Sequence, residues 1–446
     1  MKSFLLKPRF LVLMGILLFV SQTIMAASGK MPTISGIRLE FILFALTLIG
    51  VAVFHHKTMY VALSGLAAIL LTKYVFTDFS MTEHLIGTAT KEGEWRILLN
   101  LMGLLFGFSI LAEHFKESKF PDILPNYLPD GWKGGFVLLF FITVLSSFLD
   151  NIAAAMIGGT IAMVVFKGKV HIGFLAGIIA ASNAGGAGSV VGDTTTTLMW
   201  IDGVNPLNVI HAFVASFTAL AIFGTIGAIV QDRYQPIIAR SSKDIKVDWG
   251  RIAVVFLILV CTIITNWALD FPAIGVWIGI LIGGFFRKTP WQEMKHVWMG
   301  TVFLMALVTC ASLMPVEELP PASAWTAFVL GFVSAVFDNI PLTKICLEQG
   351  GYDWGVLAYT VGFGGSMIWF GSSAGVALSN LYPEAKNTFN YIKKGWHVTV
   401  AYVIGFLVLI YIVGWHPHAP HKEKKITFYS GYFSSDDNRL LTELIL

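Results

Sequence analysis

The sequence predicts an all-α polytopic membrane protein. It is read as two inverted repeats, each with a re-entrant hairpin and a broken helix, with about 11 spans counting one at the N-terminus. Three observations carry this. Of 446 residues, 56% are hydrophobic and only 13% charged, where soluble domains are usually about 25% charged. The apolar runs recur along the whole chain without the two-residue alternation of a membrane barrel. And an Asp-Asn pair interrupts two over-long apolar stretches, Ser146-Ser147-Phe148-Leu149-Asp150-Asn151 and Ser334-Ala335-Val336-Phe337-Asp338-Asn339.

Residues 1–29 hold Lys2, Lys7 and Arg9, an apolar run from Phe10 to Val20, and Ala26-Ala27. They read as a signal-like segment or a first membrane helix, with residue 30 outside the cytoplasm either way. The first repeat is placed at 37–230, with apolar segments at 37–54, 58–76, 97–113, 135–166, 171–199 and 207–230. A cytoplasmic linker, 231–250, follows. The second repeat, 251–414, has segments at 252–270, 272–287, 297–314, 323–350, 354–381 and 394–414, and a polar tail covers 415–446.

Segments 135–166 and 323–350 are too long for one span and carry their Asp-Asn centrally. They read as hairpins of two half-helices with a polar tip, backbone that membrane depth allows only inside protein or beside a wet cavity. The segments after them read as broken, with the unwound part expected around Asn183-Ala184-Gly185-Gly186-Ala187-Gly188-Ser189 and Gly362-Phe363-Gly364-Gly365-Ser366. The halves correspond: Asp150-Asn151 with Asp338-Asn339, Gly185-Gly186 with Gly364-Gly365, Gly192 with Gly371, and Asp193-Thr194 with Ser372-Ser373.

Charge sets the expected orientation. One set of loops holds Lys116, Lys119, Lys133, Lys167, Lys169, Arg233, Arg251, Arg287, Lys288, Lys393 and Lys394, while the opposite loops before the tail hold Lys30, Arg38, Lys91 and Arg96. By the positive-inside bias the first set is cytoplasmic, so the two hairpins enter from opposite faces. The net charge of +3 gives no reason to expect a nucleic-acid partner; the expected partner is the lipid bilayer. Cys261, Cys310 and Cys346 lie in apolar segments without metal-ligand spacing and read as core residues.

A carboxylate within a membrane segment costs roughly 2.5–3.5 kcal/mol on insertion scales, which makes it a functional candidate. Half-helix ends add free carbonyls and amides. The candidate proton- and cation-binding groups are Asp150, Asn151, Asn183, Asp193, Thr195, Thr196, Asp338, Asn339, Ser366, Ser372 and Ser373. Many oxygens and few fixed positive charges favour a hard cation such as Na⁺, by analogy with other hard cations. Each feature also has a structural reading. Asp-Asn is a good N-cap, the threonines serve helix packing, and the glycine pairs permit close helix approach. Glu40, Glu113, His211 and His397 lie near span ends and are expected to reach the interface. Lys344 is expected to pair with Glu348, four residues on, or to face Asp338.

The run Asn183-Ala184-Gly185-Gly186-Ala187-Gly188-Ser189-Val190-Val191-Gly192-Asp193-Thr194-Thr195-Thr196-Thr197-Leu198-Met199-Trp200 resembles the signature of the NhaD-type sodium/proton antiporters. These belong to the ion transporter superfamily, with arsenite pumps and dicarboxylate carriers. Ser334 to Leu342 resembles the family's second hairpin tip, and the resemblance spans roughly 37–414. It implies Na⁺, and Li⁺, exchanged for H⁺ across a bacterial inner membrane by a homodimer, with no enzymatic step and no cofactor. It maps the family's functional positions onto Asp150, Asn183, Asp193, Thr195, Thr196, Asp338, Asn339, Ser366, Ser372 and Ser373. Gly188-Ser189-Val190 stands where the family has Trp-Ser-Pro.

The alternative is a sodium-coupled dicarboxylate symporter on the same scaffold, whose hairpin tips carry Ser-Asn. Asp150 and Asp338 would repel its substrate, as they would that of a metalloid exporter. An intramembrane aspartyl protease needs Tyr-Asp and Gly-x-Gly-Asp, but here Leu149 precedes Asp150 and Val190 replaces the first glycine.

Overall fold

The structure, a computed structural model, describes residues 31–54, 57–88, 93–238 and 245–418. The N-terminal segment and nearly all of the polar tail lie outside the described residues. A two-residue antiparallel pairing, Thr33–Ile34 with Ile37–Arg38, opens the chain. Everything after it is helical or connecting.

Three helices come first: α1 (Leu39–Val53), α2 (Thr58–Phe76) and α3 (Trp95–Glu117). A helical hairpin follows, α4 (Trp132–Ser146) and α5 (Asn151–Val165), with Asp150 at its tip accepting from the Ile152 amide at 3.3 Å. Then comes a helix in two pieces, α6 (Ile172–Ala187) and α7 (Thr194–Ile201), and the long α8 (Ala212–Tyr234). The order then repeats. Helices α9 (Trp249–Leu269), α10 (Pro272–Gly283) and α11 (Glu293–Ser312) precede a second hairpin, α12 (Ala324–Ser334) and α13 (Asn339–Gln349). Its tip residue Asp338 accepts from the Ile340 amide at 3.0 Å. Pro341 sits in the first turn of α13, where its missing N–H has no partner to lose, and Gly350 ends the helix at φ +69°. A second broken helix begins as α14 (Trp354–Leu357), widens into a π-helix (Ala358–Phe363), and resumes after a gap as α15 (Ser373–Leu381). Helices α16 (Thr388–Lys394) and α17 (Trp396–Ile412) close the described chain, bent by 57° at their junction.

Five of these helices are long and apolar enough to cross a membrane, and a sixth span arises if α16 and α17 count as one. The chain is a multi-pass membrane protein. The shorter apolar helices are mostly the arms of the hairpins and the halves of the broken helices, plus α1 and α10.

The helices pack in two groups. α9 packs on α10, α11 on α2 and α3, α1 on α2, and α10 on α3. In the second group α8 packs on α17, α6 and α4, and α15 packs on α5. The groups meet where α11 crosses α13 and α3 crosses α7. Cys310 and Cys346 are buried and Cys261 half-buried, all as free thiols.

Several expectations need correction. The glycine pairs are not unwound. Gly185 and Gly186 lie inside α6, and the break falls later, at 188–193. Gly364 and Gly365 likewise sit within helical turns, with the break at 368–372. The reason is packing: a Cβ on Gly185 would stand 2.0 Å from the Thr143 carbonyl oxygen, and one on Gly364 2.3 Å from that of Gly331. The first glycine of each pair lets its helix lie against the first arm of its hairpin, and the second, Gly186 or Gly365, packs against its own break. The linker is also shorter than 231–250, since α8 runs to Tyr234 and α9 starts at Trp249. Glu40 and His397 do not reach an interface. Glu40 is fully buried and pairs with Arg38 at 2.8 Å and Lys73 at 2.9 Å, and His397 is buried beside Gly173 and Gly227. His211 bonds Asp353 at 2.7 Å, while Glu113 does stay half-exposed, 2.9 Å from Lys116.

Candidate cation site

The hairpin tips and the helix breaks converge on one polar cluster. Asn151, the first residue of α5, donates from Nδ2 to Asp193 Oδ1 at 2.8 Å and to Asn183 Oδ1 at 3.1 Å. Asn183 in turn donates to Ser366 Oγ at 2.9 Å and Ser372 Oγ at 3.1 Å. One buried asparagine thus joins the polar groups of the first half to those of the second. Asn151, Asn183, Asp193, Ser366 and Ser372 are all at most 2% exposed, so their bonds act in a low dielectric.

The breaks are built by hydroxyls that replace missing helix bonds. The Thr196 hydroxyl donates to the Ser189 carbonyl at 2.6 Å, with those of Gly186 and Asp193 also within reach, and Thr197 donates to that of Val190 at 2.9 Å. Thr196 and Thr197 are therefore partly scaffold, holding the carbonyls of their own break. Ser146 donates to the Ser182 carbonyl and, at the matching place, Ser334 to the Val361 carbonyl at 2.7 Å. Ser147 and Ser189 tie the first tip to the first break, through the carbonyls of Gly185 and Ser147.

Among the candidate residues named from the sequence, three buried polar atoms make no hydrogen bond of ordinary geometry: Asp193 Oδ2, Thr195 Oγ1 and Asn339 Nδ2. Leaving such an atom unpaired costs about 1–3 kcal/mol, more for a charged group. For a carboxylate oxygen that is a reason to look for a missing cation or proton. The Thr195 side chain and the Thr194 and Thr195 amides lie against this carboxylate. Asp338 is half-buried and accepts from Ser373 Oγ at 3.4 Å. The residues singled out from the sequence lie at the tips, at the breaks or, for Asn183 and Ser366, in the helical turns that precede the breaks. Asp193, Asn151, Asn183, Ser366 and Ser372 form the bonded core. Asp150, Asp338 and Ser373 stand at its edge, and Thr196 serves the backbone.

A cavity of about 610 Å³ leads to this cluster. It lies between α3, α5 and α11, with Asp150, Asp193, Thr194, Thr197 and Ser373 in its lining and Met156 and Thr160 on the α5 wall. Glu113, Lys116, Asp122, Glu293 and His296 line it too, at the helix ends. The second arm of the second hairpin carries a buried ion cluster instead. Lys344 of α13 is fully buried and reaches Glu348 Oε1 at 2.6 Å, Glu94 Oε2 at 2.7 Å and Asp202 Oδ1 at 3.9 Å. It pairs with Glu348 as expected and is committed to this acidic cluster, away from the Asp338 role considered for it. Glu94 and Asp202 were not anticipated, because each stands at a helix end far in sequence from Lys344.

No family model matches the chain. Its sequence is similar to curated antiporters. A Na⁺/H⁺ antiporter NhaD of Vibrio parahaemolyticus is 26% identical over 391 residues, covering 74% of this chain and 94% of the relative. The Na⁺/H⁺ antiporter NhaD of Alkalimonas amylolytica is 26% identical over 340 residues, 63% and 69% of the two chains. Sodium/proton antiporter 1 of Arabidopsis thaliana is 25% identical over 369 residues, 73% and 62%. The relatives extend the resemblance read from the signature around Asn183 and Asp193 to most of the chain.

Proposed function

We propose that this protein is a secondary active transporter exchanging Na⁺, and Li⁺, for H⁺ in a bacterial inner membrane. The observation that carries the reading is the fully buried Asp193 carboxylate, with one oxygen unpartnered amid neutral amides and hydroxyls and open to a cavity. A carboxylate in such a place favours the protonated form when empty and the ionised form when a cation sits against it. Cation and proton therefore compete for one group, which is the chemistry of exchange. Asp150 and Asp338 supply further oxygens at the hairpin tips. Among the described residues the buried Lys344 is held by three carboxylates and Lys116 of the cavity wall is paired with Glu113 at 2.9 Å, which leaves neither ready for an organic anion. This disfavours the dicarboxylate symporter.

The matched element order and the paired contacts of Ser146 and Ser334 support reading residues 37–230 and 251–414 as inverted repeats. The cavity then opens to the cytoplasm and the Lys344 cluster closes the outside, as alternating access requires. A homodimer completes the reading. The test is made in inside-out vesicles from a strain lacking its own antiporters, with a pH-gradient dye. NaCl or LiCl should collapse the gradient with the native chain and have no effect with Asp193→Asn at equal protein level. Full activity in that variant would overturn the assignment of Asp193, and no cation response from the native chain would overturn the exchange itself.

A further inference from the structure

Most glycines of the core are explained by what a side chain would strike. Gly185, Gly364, Gly365 and Gly192 each face a backbone oxygen closer than 3 Å to the place a Cβ would take. Gly362 is different. It lies in the π-helix beside the second break, fully buried, and its backbone is not in the left-handed region that glycine alone occupies readily. Outside its own helix and chain neighbours, a Cβ there would meet one described heavy atom within 4 Å: Asp193 Oδ2, at 3.3 Å. That is the carboxylate oxygen without a hydrogen bond. Backbone conformation does not ask for glycine here, and the one close contact that would resist a side chain is with this carboxylate oxygen. What glycine does is leave space against that oxygen.

The corresponding position in the first half is Asn183, two residues before Gly185 as Gly362 is two before Gly364. There the side chain fills the site and bridges the halves. The π-helix, a form that recurs at functional sites, sets Gly362 opposite the carboxylate. Hard cations such as Ca²⁺ sit about 2.3–2.6 Å from their oxygen ligands, so an ion on Asp193 Oδ2 would occupy the gap a methyl at 3.3 Å would crowd.

We infer that Gly362 sets the size of the cation accepted at Asp193. The inference rests on the exchange reading above. A methyl group at 362 narrows the seat without removing a ligand, so it discriminates against the larger ion: Na⁺ binding weakens more than Li⁺ binding.

The experiment uses the full chain carrying Gly362→Ala, with Gly362→Ser as a second variant that fills the same space. Purified protein is melted in NaCl or LiCl series at constant ionic strength with choline chloride, since a ligand of the native state raises the melting temperature by mass action. Exchange is followed in parallel in vesicles. The half-saturating Na⁺ concentration should rise about tenfold or more, the scale of one methyl group in a fitted pocket, while that of Li⁺ rises clearly less. Unchanged values for both ions, or equal factors for both, in a variant that melts cooperatively would overturn the role of Gly362. If the native chain is neither stabilised by Na⁺ or Li⁺ nor exchanges them, the exchange reading fails first and takes this inference with it.

Discussion

The two Asp-Asn hairpins share their design and differ in what surrounds their second arm. In α5, Met156 and Thr160 face the open cavity. Counted from the tip aspartate, the same positions of α13 are Lys344 and Glu348, which are drawn into a buried charge cluster with Glu94 and Asp202. The broken helices differ likewise. Asn183 and Asp193 in the first stand where the second has Gly362 and Ser372. Contacts that hold the shape are repeated, as with Ser146 and Ser334 or Gly185 and Gly364. Apart from the tip aspartates Asp150 and Asp338, groups that carry charge are not. The two halves share packing and differ in chemistry.

Relocating the carboxylate tests that contrast most severely. Asp193→Ser combined with Ser372→Asp keeps the composition and should leave no sodium-dependent exchange in the vesicle assay. The unpartnered oxygen facing Gly362 belongs to the first break alone, and recovery of exchange would show the halves interchangeable. Next in size is the charge cluster. Lys344→Gln strands buried carboxylates and should cost about 3–5 kcal/mol, seen as a large fall in melting temperature in detergent. Met156→Gln at the matched, cavity-facing position should cost far less. Equal losses would mean that the cluster contributes no more than an open wall. The smallest effects concern the shared packing. Gly185→Ala and Gly364→Ala should each destabilise by about 1–3 kcal/mol through overpacking. The two costs should be similar, and a marked inequality would break the claim that the hairpin contacts are equivalent.

Much of this was legible in sequence because it rests on local chemistry. Asp150 and Asp338 announce hairpin tips because an N-cap acid in apolar sequence has few other uses, and Asp193 stands out by its repeat partner being Ser372. The helix breaks were placed too early, at the glycines. Glycine next to a polar cluster suggests unwinding, but in the fold those glycines receive a neighbouring backbone, which only the tertiary contact reveals. Glu94 and Asp202 were invisible for the same reason: helix-end acids look solvated until a lysine from elsewhere in the chain arrives. Gly362 did carry a signal, its alignment with Asn183. Its meaning needed the position of Asp193 Oδ2.

The rim of the cavity has an electrical consequence of its own. Glu113, Asp122 and Glu293 stand there with Lys116 and His296, an acidic excess that would favour cations at this wall on the exchange reading proposed above. This enrichment depends on screening, whose range shrinks from about 30 Å at 0.01 M salt to about 8 Å at 0.15 M. On the exchange reading proposed above, an apparent sodium affinity measured in dilute buffer is the product of an intrinsic constant and a surface potential, and divalent ions gathered at the same wall would lower it by screening alone.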